Sequence, residues 1–365
     1  MTKTDFLKTT EYDAWDHFVE VSPQGDVFCY SWWLEAVTKN DFQILVVKEN
    51  QRIVAGIILP FYSAKRVNEP YLTRTIGVLY KKIEVESPRK RLSKERKWLN
   101  ALLDRVNKDR FVQMCLHHNF TDWLPFRWRG YQQTTRYTYI VDYRLATLEE
   151  IWKNISKKRK YSIQKAIKNN LRVAEGGDMV SVYKFSCLSF ARQGKKFPYS
   201  LKDLQALDDA VRARGKRMIF KVVDASQQIH AMNYVVYQRK SAYHLLIGGD
   251  PQVRSMGGLT LLLWGTIKYF SDKVSIFNFG GSDIQPIEEH IRGFGGMQKQ
   301  YFHIYNEKLF KHEQGLKFHG KKILYHSKEI FKDLHTRSLK EYFILATKLL
   351  KYLLKKISLV VHRAD

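Results

Sequence analysis

From Phe42 to Pro60 the chain sets two apolar runs, FQILVV and RIVAGIILP, around the polar stretch KENQ, the pattern of a β-hairpin. The pattern returns in the second half. VVKENQRIVAG (46–56) and VVDASQQIHAM (222–232) align without gaps, with identity at Val46/Val222, Val47/Val223, Gln51/Gln227, Ile53/Ile229 and Ala55/Ala231. Each hairpin follows helix-period sequence and precedes further strand-like sequence, so the chain reads as two copies of one α/β unit.

The first copy, residues 1–146, opens on the aromatic FCYSWWLEAV and continues through the hairpin to a basic helix around 92–107. Strands in FVQMCLHHNF and RYTYIVDY close it. Thr147, with Glu150 three residues on, is a capping box that starts the second copy, residues 147–307. There a lysine-rich helix precedes the hairpin. The strand SAYHLLIGGD follows, then the loop DPQVRSMGG, the apolar helix LTLLLWGTIKYF and the strand VSIFNFGG. Residues 308–365 read as a basic helical tail. The expected fold class is α/β, two tandem units of mixed twisted sheet flanked by helices.

Charge narrows the partners. Lys and Arg number 62 against 36 Asp and Glu, a net charge of +26. Such a chain gathers polyanions, whether RNA, anionic lipid head groups or phosphorylated ligands such as coenzyme A. Lys153–Asn170 carries seven basic residues and no acid, the composition of a solvated helix face or of a phosphate-binding one. The three cysteines are isolated, which suits a reducing compartment. There is no leader-like start and no apolar run long enough to span a bilayer, so a cytoplasmic location is expected. Residues 338–363 mix apolar positions with lysines, as a helix lying on an anionic membrane surface does. No metal is expected: His117-His118 lacks a third ligand at useful spacing. GLKFHGKK (315–322) has Lys322 where a P-loop needs Ser or Thr.

The most informative stretch is DPQVRSMGGLTLLL. A loop with Arg254, Gly257 and Gly258 leading into a helix makes an anion site from outward N–H groups and the helix dipole. The bland alternative is a glycine turn that simply packs closely. The order strand, R-x-x-G-G loop, apolar helix, strand resembles the acyl-donor-binding core of the GNAT superfamily of N-acyltransferases. Two such units in tandem resemble the FemAB-like and BioF2-like acyltransferases of bacterial cell-envelope synthesis. Further support comes from SFARQGKKFP (189–198), KKRKYSIQKAIKNNLRV (157–173) and FNFGGSDIQPIEEHIRGFGG (277–296). The family's loop ends in Gly or Ala, where this chain has Leu259.

The resemblance implies two strands that splay apart beside the phosphate loop, with a donor ester or thioester in the gap and an amine attacking it. Leu246 and Ile247 would align the acyl carbonyl, while Arg254, Gly257 and Gly258 would hold the donor. Gly281 would turn the chain beside ligand. Ser282 and Asp283 would cap the next turn or bond substrate, and Glu288 would accept a proton or orient the amine. Arg292, Gln193 and Lys195 would bind the acceptor. Glu288 and Arg292 are also spaced as a plain i,i+4 ion pair. Acyl-CoA is the expected donor and aminoacyl-tRNA the alternative, with an amine of an envelope or polysaccharide precursor as acceptor. A rival reading is a non-catalytic RNA- or membrane-binding protein on a decayed GNAT scaffold.

Overall fold

The computed structural model describes residues 2–63, 66–84, 87–106 and 111–306. The expected tail at 308–365, its membrane-surface stretch at 338–363 and the P-loop-like 315–322 lie outside the described residues. Thirteen strands are described: β1 (Thr2–Phe6), β2 (Phe42–Glu49), β3 (Arg52–Ser63), β4 (Arg66–Val67), β5 (Val78–Tyr80), β6 (Phe111–Cys115) and β7 (Tyr131–Asp142) come first. They are followed by β8 (Arg172–Glu175), β9 (Arg217–Val223), β10 (Ile229–Tyr237), β11 (Ser241–Gly249), β12 (Ile276–Asn278) and β13 (Met297–Asn306). One mixed sheet takes them in the order β1-β2-β3-β4-β6-β13-β7-β12-β11-β10-β9-β8, with β5 paired to β3.

Both expected hairpins form, with different turns. Between β2 and β3 the two turn residues, Asn50 and Gln51, have φ of +49° and +62°, which matches the right-handed twist of the flanking strands. Between β9 and β10 the loop is longer, and the Asp224 carboxylate accepts from the amides of Ser226 (2.9 Å) and Gln228 (3.0 Å). The aromatic opening is core: Trp15 and Trp33 are fully buried. Their ring N–H groups donate to Cys29 O (2.8 Å) and Thr73 Oγ1 (3.1 Å), as buried indoles require. A second core of Phe220, Phe270, Phe277, Phe279 and Phe294 lies under the later strands.

At the junction, Thr147 Oγ1 accepts from Glu150 N (3.3 Å) and Glu150 Oε2 from Thr147 N (2.8 Å), so the capping box forms. The sheet runs on across it. β13 lies between β6 and β7, antiparallel to both, and β12 takes the other edge of β7.

β11 and β12 are parallel neighbours only from Ser241/Ile276 to Tyr243/Asn278. Beyond that β11 continues against β10 to Gly249. The other ribbon turns away: Phe279 N donates to Tyr139 O (2.9 Å), and Gly280 and Gly281 have φ of +73° and +65°. A Cβ at Gly281 would sit 2.1 Å from Tyr137 O, so only glycine fits there. The two ribbons diverge, as the resemblance implies.

Candidate functional site

The helix Gly258–Phe270 packs Leu262, Ile267 and Phe270 into the second core. Its start is unusual. The N-cap is Gly257, with φ of +86° and no side chain to cap the helix. The amides of Thr260 and Leu261 return to Gly257 O (both 3.1 Å), and the amides before them have no acceptor within the helix. A Cβ at 257 would stand 2.4 Å from Ser162 O, and one at 258 would stand 3.1 Å from His230 Cβ. Both glycines thus have a packing reason: they bring the loop against the helix Lys157–Lys168 and against β10.

That approach places a cavity of about 470 Å³ at the uncapped helix start, lined by Arg159, Ser162, Lys165, Arg254, Leu259 and His290 among others. Arg159, Ser162 and Lys165 share a face through their helical spacing. Arg159 Nε is buried with no hydrogen-bond partner. Three cations, one with an unmatched buried donor, and a positive helix end meet in one hollow, which suits an anion of phosphate type. A second, smaller hollow shares Arg254 and Leu259 and adds Ser189, Arg192 and Gly249. Its wall is fixed where Gly249 N donates to Ser189 Oγ (3.1 Å).

Two histidines join the cavity to the divergence of β11 and β12. His290, on the helix Gln285–Arg292, lines the cavity with Nε2 buried and unpartnered. Burial first, then the charge of Arg159, pushes it down to about 3. His244, on β11, directs Nε2 at Phe279 O. A carbonyl only accepts, so Nε2 carries the proton and Nδ1, also buried and unpartnered, is a bare acceptor. Burial and the Arg74 charge hold His244 at about 4. At neutral pH both imidazoles are uncharged. From the other side Arg74 reaches in, donating Nη2 to Leu245 O (3.4 Å) and leaving Nε buried without a partner. The lip is pinned by Asn278 Oδ1, which accepts from Thr138 Oγ1 (2.6 Å) and Gly280 N (2.8 Å).

Of the residues expected from sequence, Arg254 and Gly257 line the cavity and Gly258 lines the smaller hollow. Leu246 is buried and Ile247 half-buried on β11. The others sit outside the lining. Glu288 accepts from Tyr139 OH and from Arg292 Nε (3.0 Å), with side chains 27% and 60% exposed. The tyrosine bond, then Arg292, holds its carboxyl below the usual range, which makes it a stable carboxylate in an ion pair. Asp283 is 74% exposed and 3.9 Å from Arg136. Ser282 Oγ accepts from Ile284 N (3.1 Å), the turn-capping role. Gln193 folds back onto Ser189 O (3.1 Å), and Lys195 is exposed.

No family model and no curated protein matches the sequence. Solved structures do. FemX overlays with a TM-score of 0.63 at 13% identity, over 85% of this chain and 99% of its own. A conserved protein of unknown function from Bacteroides thetaiotaomicron overlays with a TM-score of 0.53 at 9% identity, over 84% and 99%. The fold of this chain is therefore like that of FemX. Within that frame, sequence reasoning placed none of Arg159, Lys165, His290, His244 and Arg74 in the site. Arg159 and Lys165 lay inside a lysine run that reads equally well as solvated. The other three become neighbours only through pairing of distant segments. Among the described residues no helix is long and apolar enough to cross a membrane.

Proposed function

We propose that the protein is an acyltransferase that moves an acyl group from acyl-CoA to an amine of a cell-envelope or polysaccharide precursor, and that its two halves are copies of one unit. The observation that carries this is the uncapped start of the helix Gly258–Phe270, facing a cavity with Arg159, Lys165 and Arg254. The donor phosphates take the free amides and the three cations. The acyl group runs along β11 at Leu246 and Ile247 into the divergence, where the unpartnered Arg74 Nε–H is available to polarise its carbonyl. The amine attacks the carbonyl carbon, the N–C bond forms as the C–S bond breaks, and one amine proton is lost. His290 is the acceptor for that proton. Free, it is a weak base, but phosphate bound at Arg159 and Arg254 offsets two of the charges that hold it down. Donor binding therefore raises its basicity toward the range useful for proton transfer.

A second donor has its own support. Lys157, Lys158, Lys165 and Lys168 are exposed on the helix beside the cavity, a basic surface wider than one coenzyme covers and suited to the backbone of aminoacyl-tRNA. Native mass measurement with a panel of acyl-CoAs and charged tRNA separates the two. Acyl-CoA binding that is lost in Arg254→Ala supports the reading; no binding of either donor removes it.

A further inference from the structure

Away from this cavity, where β6 meets β13, three side chains with metal-ligating atoms converge. Cys115 and His303 stand directly opposite in the antiparallel pairing of the two strands, so they share one face of the sheet at cross-strand contact distance. Glu69 enters from the segment after β4, which runs parallel to β6. A carboxylate oxygen, the thiol sulfur and an imidazole nitrogen all lie within 4.8 Å of one another. Cys115 is 2% and His303 7% exposed. Glu69 Oε1 and His303 Nε2, 4.0 Å apart, are both buried and both without a hydrogen-bond partner. A buried polar atom left unmatched is costly, and here two such atoms lie beside one sulfur.

We propose that Glu69, Cys115 and His303 form a zinc site with a fourth position open to water. One thiolate, one imidazole and one carboxylate are a donor set that zinc takes in tetrahedral geometry. Bonds of about 2.0–2.3 Å put such donors roughly 3.5 Å apart, a distance that side-chain rotation reaches from the present arrangement. The surroundings fit as well. Thr134 Oγ1 lies 3.4 Å from His303 Nδ1, placed to fix the ring so that Nε2 is the ligand. Arg136 Nη1 donates to Cys115 Sγ (3.4 Å), which favours the thiolate.

Burial raises Glu69 and Cys115 and lowers His303, so the pocket by itself disfavours charge on each of them. The other charged or titratable groups facing them are Arg136, its distant partner Asp283, and Tyr301. Zinc entering as a dication takes the Cys115 sulfur as a thiolate, and the thiol proton leaves as the Zn–S bond forms. Ligand protons leave as the ion binds, so affinity rises with pH. The bound ion ties Glu69 and Cys115 of the first half to His303 of the last described strand.

Cobalt(II) titration of the full chain tests this. One equivalent is expected to give a thiolate-to-cobalt charge-transfer absorption with tetrahedral visible bands, displaced by zinc, with proton release on binding. Cys115→Ser abolishes the absorption, while Cys187→Ser leaves it. Zinc content after dialysis falls from one per chain to none in His303→Gln, and zinc raises the melting temperature of the wild type alone. Absence of a thiolate absorption in the wild type, or its survival in Cys115→Ser, overturns the proposal. The wild-type spectrum decides even where a variant does not fold.

Discussion

The helices Pro88–Leu103 and Gly258–Phe270 each follow one of the two hairpins, and they begin in opposite ways. Ser87 accepts from Lys90 N (3.3 Å) and Pro88 stands at the first turn, so the first helix covers its own orphan amides. The second begins at a left-handed glycine with no cap and opens onto cations. Of the two helix starts that follow a hairpin, one is sealed and the other is left open. Local capping chemistry, more than fold, decides which helix end is available to a ligand.

The strongest way to break the contrast is Gly257→Val. A branched side chain at positive φ, with Ser162 O in the way, is expected to cost on the order of 3 kcal/mol or more and to abolish donor binding, read by denaturant unfolding and calorimetry. Arg159→Gln keeps the fold and removes the unmatched guanidinium. Donor affinity should fall by about 1.5–3 kcal/mol, roughly ten- to a hundredfold, with thermal stability little changed.

Acid sharpens the contrast further. His290 is held at about 3 in the folded protein against an ordinary value of about 6.5. Below pH 6.5 the unfolded chain takes the proton and the folded one does not, so stability falls as pH drops from 6.5 toward 3. His290→Asn should remove about 2 kcal/mol of that loss between pH 7 and 4.5, seen as a flatter profile of melting temperature against pH. Least of all, Ser87→Ala should cost about 1 kcal/mol of stability and leave donor affinity untouched. A loss of donor binding there would mean that the sealed helix end is a site too.

Much of this was legible before any coordinates. Hairpins show because alternation is local, and the Thr147/Glu150 box shows because its partners are three residues apart. The loop at 254–258 read as a candidate anion site, and its glycines answer first to neighbouring backbone. For Glu288, proximity in sequence to a glycine edge says nothing of Tyr139, a residue from a distant strand that engages its carboxylate. The strand expected over 277–281 stops at Asn278, whose own side chain caps the turn. Arg74, His244 and the Glu69–Cys115–His303 trio depend on contacts between segments far apart in sequence, which no window reports.

The place of β13 between β6 and β7 has a consequence for synthesis. On the ribosome, residues 1–146 emerge with two strands that should flank a third still to be made. β6 then presents bare backbone along one edge and β7 along both, since β12 and β13 come later, a template for pairing with other nascent chains. The central pairing closes only after residue 306 has left the exit tunnel, so the last strand acts as a latch and the half-made protein is a natural client for chaperones.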